Sequence, residues 1–255
     1  MNMLQATGWA ALGTGFTFLM TTLGAAAVFF IKDKENASFH EMTMGFAAGV
    51  MTAASVWSLL LPAIEQAKQE ARLPAWLPAA AGILMGMVFL AGLDALLPRL
   101  RRQKPRSADA RRNTLLMTAI TLHNVPEGMA VGLAFALAAG EESLAAAVTL
   151  ALGIGIQNMP EGAAISLTMR REQKSRGKAF CAGMLSGIVE PIFGILVVLA
   201  AAGCHPLMPW LLSFAAGAML YVVVEELIPQ AGGRAGTGGF LCGFLVMMIL
   251  DVALG

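Results

Sequence analysis

Apolar residues run along this chain in long, nearly unbroken stretches, without the one-face rhythm of a soluble helix or strand. They lie near 7–31, 41–64, 76–98, 114–139, 144–169, 178–202, 207–230 and 237–254, and each reaches about the 20 residues that a membrane-spanning helix needs. The pattern predicts an all-α polytopic membrane protein with eight transmembrane helices, numbered here as spans 1 to 8. Polar residues collect in short linkers that leave no room for a separate soluble domain. A single transmembrane domain is expected over 1–255, with 99–113 as a short basic cytoplasmic loop between spans 3 and 4.

Composition agrees, since 57% hydrophobic and 13% charged residues with a mean hydropathy of +0.71 exclude an ordinary soluble domain. Charge then orients the chain. Of the 17 Lys and Arg, 15 fall around linkers 1–2, 3–4, 5–6 and 7–8, and only Lys68 and Arg72 fall in linker 2–3. By the positive-inside rule both termini are extracytoplasmic, in a multi-pass protein of the cell (inner) membrane. Span 1 has no basic residue before it and is too long for a signal-peptide core, so it reads as a retained span. The net charge of +1 favours no partner; the lipid bilayer is expected as surroundings, and no nucleic acid is.

Within this topology two segments recur. Phe46-Ala47-Ala48-Gly49-Val50-Met51 of span 2 returns as Phe214-Ala215-Ala216-Gly217-Ala218-Met219 of span 7, and Leu60-Leu61-Pro62 returns as Leu227-Ile228-Pro229. A hexapeptide is also doubled: His123-Asn124-Val125-Pro126-Glu127-Gly128 in span 4 and Gln157-Asn158-Met159-Pro160-Glu161-Gly162 in span 5. Both pairs of spans run antiparallel. Spans 1–3 and 6–8 are therefore expected to form inverted repeats around a central 4–5 pair, an arrangement that marks substrate sites in secondary transporters.

The doubled hexapeptide holds two carboxylates where lipid is expected, at a cost of roughly 2.5 to 3.5 kcal/mol each on the translocon scale. A bound cation is the simplest reason. His123 and Glu127 are four apart and share a helix face, and Gln157 and Glu161 repeat the spacing on the facing helix. Pro126 and Pro160 remove backbone donors and are expected to bend their helices, freeing carbonyls. Glu190, followed by Pro191 in span 6, falls at a depth like that of Glu127 and adds a third carboxylate. Three like charges in a low dielectric cannot all stay ionised without a counter-cation. One imidazole, carboxylates and amides without thiolate disfavour Cu(I) and leave zinc first, with iron, manganese, cobalt and cadmium open. Facing carboxylates at 127 and 161 allow a binuclear arrangement, one metal toward His123 and Gln157 and one toward Asn124 and Asn158.

These motifs, with the Glu-Leu-Ile-Pro of span 7, resemble the ZIP (Zrt/Irt-like) divalent metal transporters, specifically their GufA-like bacterial branch, over the whole chain. The resemblance implies uptake of zinc and related ions into the cytoplasm, a binuclear centre shared by spans 4 and 5, and often a homodimer. It implies that His123, Glu127, Gln157, Glu161 and Glu190 hold a first metal and Asn124, Glu127, Asn158 and Glu161 a second. The metal is cargo; no prosthetic group is expected. Many members carry a His where this chain has Gln157, so a broader metal range is expected here, and linker 3–4 lacks the family's frequent histidines. Two other readings stay open: an intramembrane metal-dependent hydrolase, which the missing His-Glu-x-x-His disfavours, and an exporter that runs the same site outward.

Other polar residues attract weaker expectations. Glu65 is more readily a solvated helix-end residue than an ion guide, at most one of Glu225 and Glu226 is expected to face a pathway, and Asp94 and Asp251 are expected to hydrogen-bond to neighbouring helices. Cys181, Cys204 and Cys242 lack metal-site spacing. The Gly-x-x-x-Gly pairs at 82/86, 128/132, 183/187 and 239/243 mark close helix packing, and any one is a candidate dimer face.

Overall fold

The computed structural model describes residues 3–30, 37–70, 73–100, 108–138, 144–171, 175–201 and 205–254, and among these there are helices and no strand. In chain order they are α1 (Met3–Ala25), α2 (Ala37–Ala54), α3 (Leu61–Glu70), α4 (Trp76–Leu100), α5 (Ala108–Ala138), α6 (Leu144–Arg171), α7 (Arg176–Ser186), α8 (Val189–Ala201), α9 (Met208–Val222), α10 (Ile228–Gln230) and α11 (Gly233–Leu254). Among the described residues six helical runs are long and apolar enough to cross a membrane: Leu4–Phe29, Ala37–Gln69, Trp76–Leu93, Arg176–Ala201, Met208–Gln230 and Gly233–Ala253. α5 contributes a shorter apolar segment, Asn124–Ala138. The 28 residues of α6 reach about 42 Å at 1.5 Å per residue but carry Gln157, Asn158 and Glu161. The chain is thus an all-α polytopic membrane protein.

Polarity is arranged as lipid requires. Large apolar side chains such as Leu12, Leu84, Leu196 and Leu245 are exposed on α1, α4, α8 and α11, whereas Thr14, Thr17, Glu127, Gln157 and Glu190 are buried. The apolar core between them is built mainly from α2, α5, α6 and α9, through Met51, Leu133, Leu150, Ile154, Leu212 and Met219.

Three of the expected single helices are interrupted, and proline is the reason. Pro62 and Pro229 lack an N–H, and their rings crowd the carbonyl four residues back. The chain relieves this by widening into π-helical turns, Ser55–Leu60 between α2 and α3 and Val223–Leu227 between α9 and α10, where Leu61 donates to Val56 O and Ile228 to Val223 O, each five residues back. Pro191 lies behind a third break, at Gly187–Ile188 between α7 and α8. By contrast, Pro126 and Pro160 sit inside helices that continue unbroken. The basic stretch 99–113 is partly helical, because α4 runs to Leu100 and α5 starts at Ala108; 101–107 lie outside the described residues.

Glycine decides how the rods meet. A Cβ at Gly86 would strike the Phe214 carbonyl of α9, and one at Gly243 would strike the Phe46 carbonyl of α2; Gly217 lies against Ile83 and Gly49 against Phe240 in the same way. The α2/α11 and α4/α9 contacts are therefore backbone against backbone. Gly128 and Gly132 pack on Glu190 and Gly194 of α8, and Gly183 and Gly187 face Ala25 and Thr21 of α1. All four Gly-x-x-x-Gly pairs are consumed within one chain, which corrects the expectation that one of them is a dimer face.

Candidate metal site

α5, α6 and α8 meet where the two hexapeptides and Glu190 stand. Asn124, Glu127, Gln157, Asn158, Glu161 and Glu190 are all buried there, with Glu127, Gln157 and Glu190 at 0% exposure. Glu161 and Glu190 are the charged neighbours of Glu127. The structure thus brings together six of the seven residues singled out in the sequence. The His123 side chain lies outside the described residues; its helix places it one turn before Glu127 on α5.

The break before α8 helps build the site. Pro191 cannot donate to the Gly187 carbonyl, so the Glu190 N–H bonds it at 3.0 Å and leaves the Ser186 carbonyl outside the helical ladder. Asn124 Nδ2 donates to that carbonyl at 2.9 Å. α5 is thereby tied to the point where α8 begins, and Glu190 enters the site from the first turn of α8.

The hydrogen bonds divide the oxygens into two sets. Gln157 Nε2 donates to Glu127 Oε1 at 2.6 Å. Glu190 is held at both oxygens, Oε1 by Thr21 Oγ1 and Oε2 by Asn158 Nδ2, each at 3.0 Å. Glu127 Oε2, Gln157 Oε1 and Asn158 Oδ1 are buried without a hydrogen-bond partner. All three are acceptors, and an unsatisfied buried acceptor costs about 1–3 kcal/mol. Against an ionised carboxylate, turning either amide over would set oxygen against oxygen, so the orientation with both amide oxygens free is the one that suits the charged site. Acceptors left over without donors are what a hard or borderline cation satisfies. Among the described residues no group of three or more His, Cys, Asp and Glu side chains stands in metal-holding geometry; two of the three free oxygens belong to amides.

Sequence reasoning missed Thr17, Thr21 and Ser186. A signal for the first two was present: Thr14, Thr17 and Thr21 are spaced three and four apart in an apolar span, hence on one face, and all three are buried. Thr17 and Thr21 both face Glu190. The weaker candidates lie elsewhere. Glu65 is exposed and paired with Lys68 at 3.1 Å. Glu225 is exposed and Glu226 half-buried, both in the second π turn. Asp251 Oδ1 accepts from Ser58 Oγ at 2.7 Å, the kind of interhelical bond expected of it. Cys181 and Cys242 are exposed thiols; Cys204 and the side chain of Asp94 lie outside the described residues.

Comparison with known proteins points the same way. A family model described as ZIP zinc transporter matches residues 101–251. The chain is 37% identical to zinc transporter ZIP11 of Xenopus tropicalis over 96% of each protein. It is 38% identical to zinc transporter GufA of Myxococcus xanthus over 83% of this chain and 86% of the relative. With zinc transporter ZIPB of Bordetella bronchiseptica it shares 35% identity over 97% of this chain and 82% of the relative.

Proposed function

Because the chain belongs to the ZIP family, we propose that it carries divalent metal cations, zinc foremost, into the cytoplasm through a mid-membrane site between α5 and α6. The family's members are transporters, not enzymes, so the hydrolase alternative falls away. The single observation that carries the reading is the trio of buried, unpartnered acceptors Glu127 Oε2, Gln157 Oε1 and Asn158 Oδ1. His123, Glu127, Gln157, Glu161 and Glu190 are the proposed ligands of a first ion, and Asn124, Glu127, Asn158 and Glu161 those of a second. An amide at 157 in place of imidazole loosens the preference for zinc, so cadmium, iron and manganese belong to the proposed range.

The reading includes eight spans in one transmembrane domain, α2–α3, α7–α8 and α9–α10 each forming one interrupted span. It also includes inverted repeats, 1–3 against 6–8, around the 4–5 pair. The glycine contacts support the repeat residue by residue: Gly86 on Phe214 answers Gly243 on Phe46, and Gly217 on Ile83 answers Gly49 on Phe240. The repeated Pro is offset by one residue less than the repeated Phe, and the intervening π turn is one residue shorter in its second copy. Termini outside the cytoplasm, the cell membrane as location and a homodimer complete the proposal.

The test is uptake of radioactive zinc and cadmium into proteoliposomes by the native chain and by a Glu127→Ala, Glu161→Ala double variant at equal reconstitution. Saturable flux is expected from the native protein alone. Equal flux from both would remove the site from the pathway, and no flux of zinc, cadmium, iron or manganese from either would overturn the transporter reading.

A further inference from the structure

Thr21 of α1 donates its single hydroxyl proton toward two acceptors, Glu190 Oε1 at 3.0 Å and the Thr17 carbonyl one turn back at 3.2 Å. Glu190 is thereby held by neutral donors at both oxygens, since Asn158 Nδ2 takes the other. In this arrangement both of its oxygens are engaged by donors, unlike Glu127, whose Oε2 is unpartnered. Turning Glu190 toward a metal strips Thr21 of one acceptor. The Thr17 carbonyl is already in reach as the second, so release leaves no buried donor unsatisfied.

Packing adds a second argument. Gly162 of α6 lies against the Thr21 carbonyl, and Gly128 of α5 lies against the Glu190 carbonyl. Gly128 and Gly162 are the matching glycines of the doubled hexapeptide, so Thr21 occupies the position in one half of the site that Glu190 occupies in the other. Two counterparts that touch each other lie beside the local two-fold axis. A carboxylate at both places would set two like charges at hydrogen-bonding distance; an acid in one half and a donor in the other makes a bond.

We propose that Thr21 is a positioning residue that latches Glu190 away from the metal and hands it over when the ion arrives. The proposal rests on the transport reading above. Without the hydroxyl, Glu190 Oε1 loses its donor and the cation becomes its best partner, so the ion is held more tightly and released more slowly. For Thr21→Val in zinc flux, KM and maximal rate are both expected to fall, by about tenfold or more given the strength of hydrogen bonds to charged groups. Thr21→Ser keeps the hydroxyl and is expected to restore both. Zinc calorimetry on purified protein should show the same tightening, and in a Glu190→Gln background Thr21→Val should add nothing. Thr21→Ala serves as the second hydroxyl deletion if the valine variant does not insert. Native kinetics in Thr21→Val or Thr21→Ala overturns the latch, as does a rate loss that Ser fails to restore or that persists with Glu190→Gln. Absence of zinc flux in the native chain fails the transport reading instead, so the two failures are distinguishable.

Discussion

Helices meet in two different ways in this molecule. Between α2 and α11, and between α4 and α9, glycines bring backbone onto backbone, and Gly45, Gly49, Gly82, Gly86, Gly217, Gly239 and Gly243 leave no room for even a methyl group. Between α5, α6 and α8 glycines also bring the chains close, but the space is lined by carboxylates and amides whose oxygens are only partly satisfied. The first kind resists change in either direction, because dispersion contacts at full packing density have one best arrangement. The second kind keeps acceptors in reserve. A transporter needs both: a frame that holds its shape in lipid, and a site whose polar groups are not so well paired with each other that a cation has nothing to gain.

The largest effect that separates the two kinds of contact is expected at the carboxylates. Glu127→Ala or Glu161→Ala should abolish saturable zinc flux, to at least a hundredfold below native, as loss of a charged ligand is worth several kcal/mol in a site screened from water. Insertion should stay near native, while Glu127→Ala should also cost about 1–3 kcal/mol of stability, because it strips the buried Gln157 Nε2 of its acceptor. The next effect runs the other way. Gly86→Ala places a methyl group against the Phe214 backbone, where no flexible side chain can yield, and a cost of about 1–3 kcal/mol is expected from overpacking. Thermal unfolding followed by circular dichroism should show a lower Tm, while the zinc KM of the protein that does fold is unchanged. If Gly86→Ala shifts KM and spares Tm, the division between frame and site is wrong.

Asn124 sits on the boundary between the two regions and sharpens it. Its Nδ2 reaches the Ser186 carbonyl that Pro191 and the helix break have set free, so it ties site to frame. Asn124→Leu leaves that buried carbonyl unpaired, and about 1–3 kcal/mol of stability should go with it. Because the start of α8 loses its tether, Glu190 is displaced as well, and flux should fall severalfold. A partial loss of flux joined to a loss of stability separates Asn124 from Glu127, where flux is abolished, and from Gly86, where KM is unchanged.

Much of this architecture was legible in the chain because lipid imposes simple rules. Long apolar runs became helices near the expected positions, and the doubled Asn-x-Pro-Glu-Gly put Glu127 and Glu161 in one buried region, where Glu190 joins them from α8. The interruptions were less legible. Pro62, Pro126, Pro160, Pro191 and Pro229 all lie in helical sequence, yet π turns accompany two, a break precedes one, and two are absorbed in continuous helices. Which relief a proline takes depends on the neighbours that can satisfy the freed carbonyl, and those come from distant spans, as Asn124 does for Ser186. Thr21 escaped notice for a related reason. A threonine in an apolar helix normally bonds its own backbone four residues back, and nothing local reveals that a carboxylate 169 positions later shares the proton.

The smallest expected effect concerns Glu65 and Lys68. They form an ion pair at 3.1 Å with side chains 62% and 60% exposed, and exposed pairs of this kind contribute about 0–1 kcal/mol. If the pair only solvates the end of α3, Glu65→Gln should leave zinc KM within twofold of native at physiological salt, because a charge this exposed is screened beyond about 8 Å. A true ion guide would behave differently. Its loss would raise KM several-fold at low ionic strength and have no effect at high salt, since steering acts on the rate of encounter and is abolished by screening. Measuring flux for Glu65→Gln at two salt concentrations therefore decides whether the working surface extends from the buried oxygens at Glu127 to the end of α3, or stops inside the membrane.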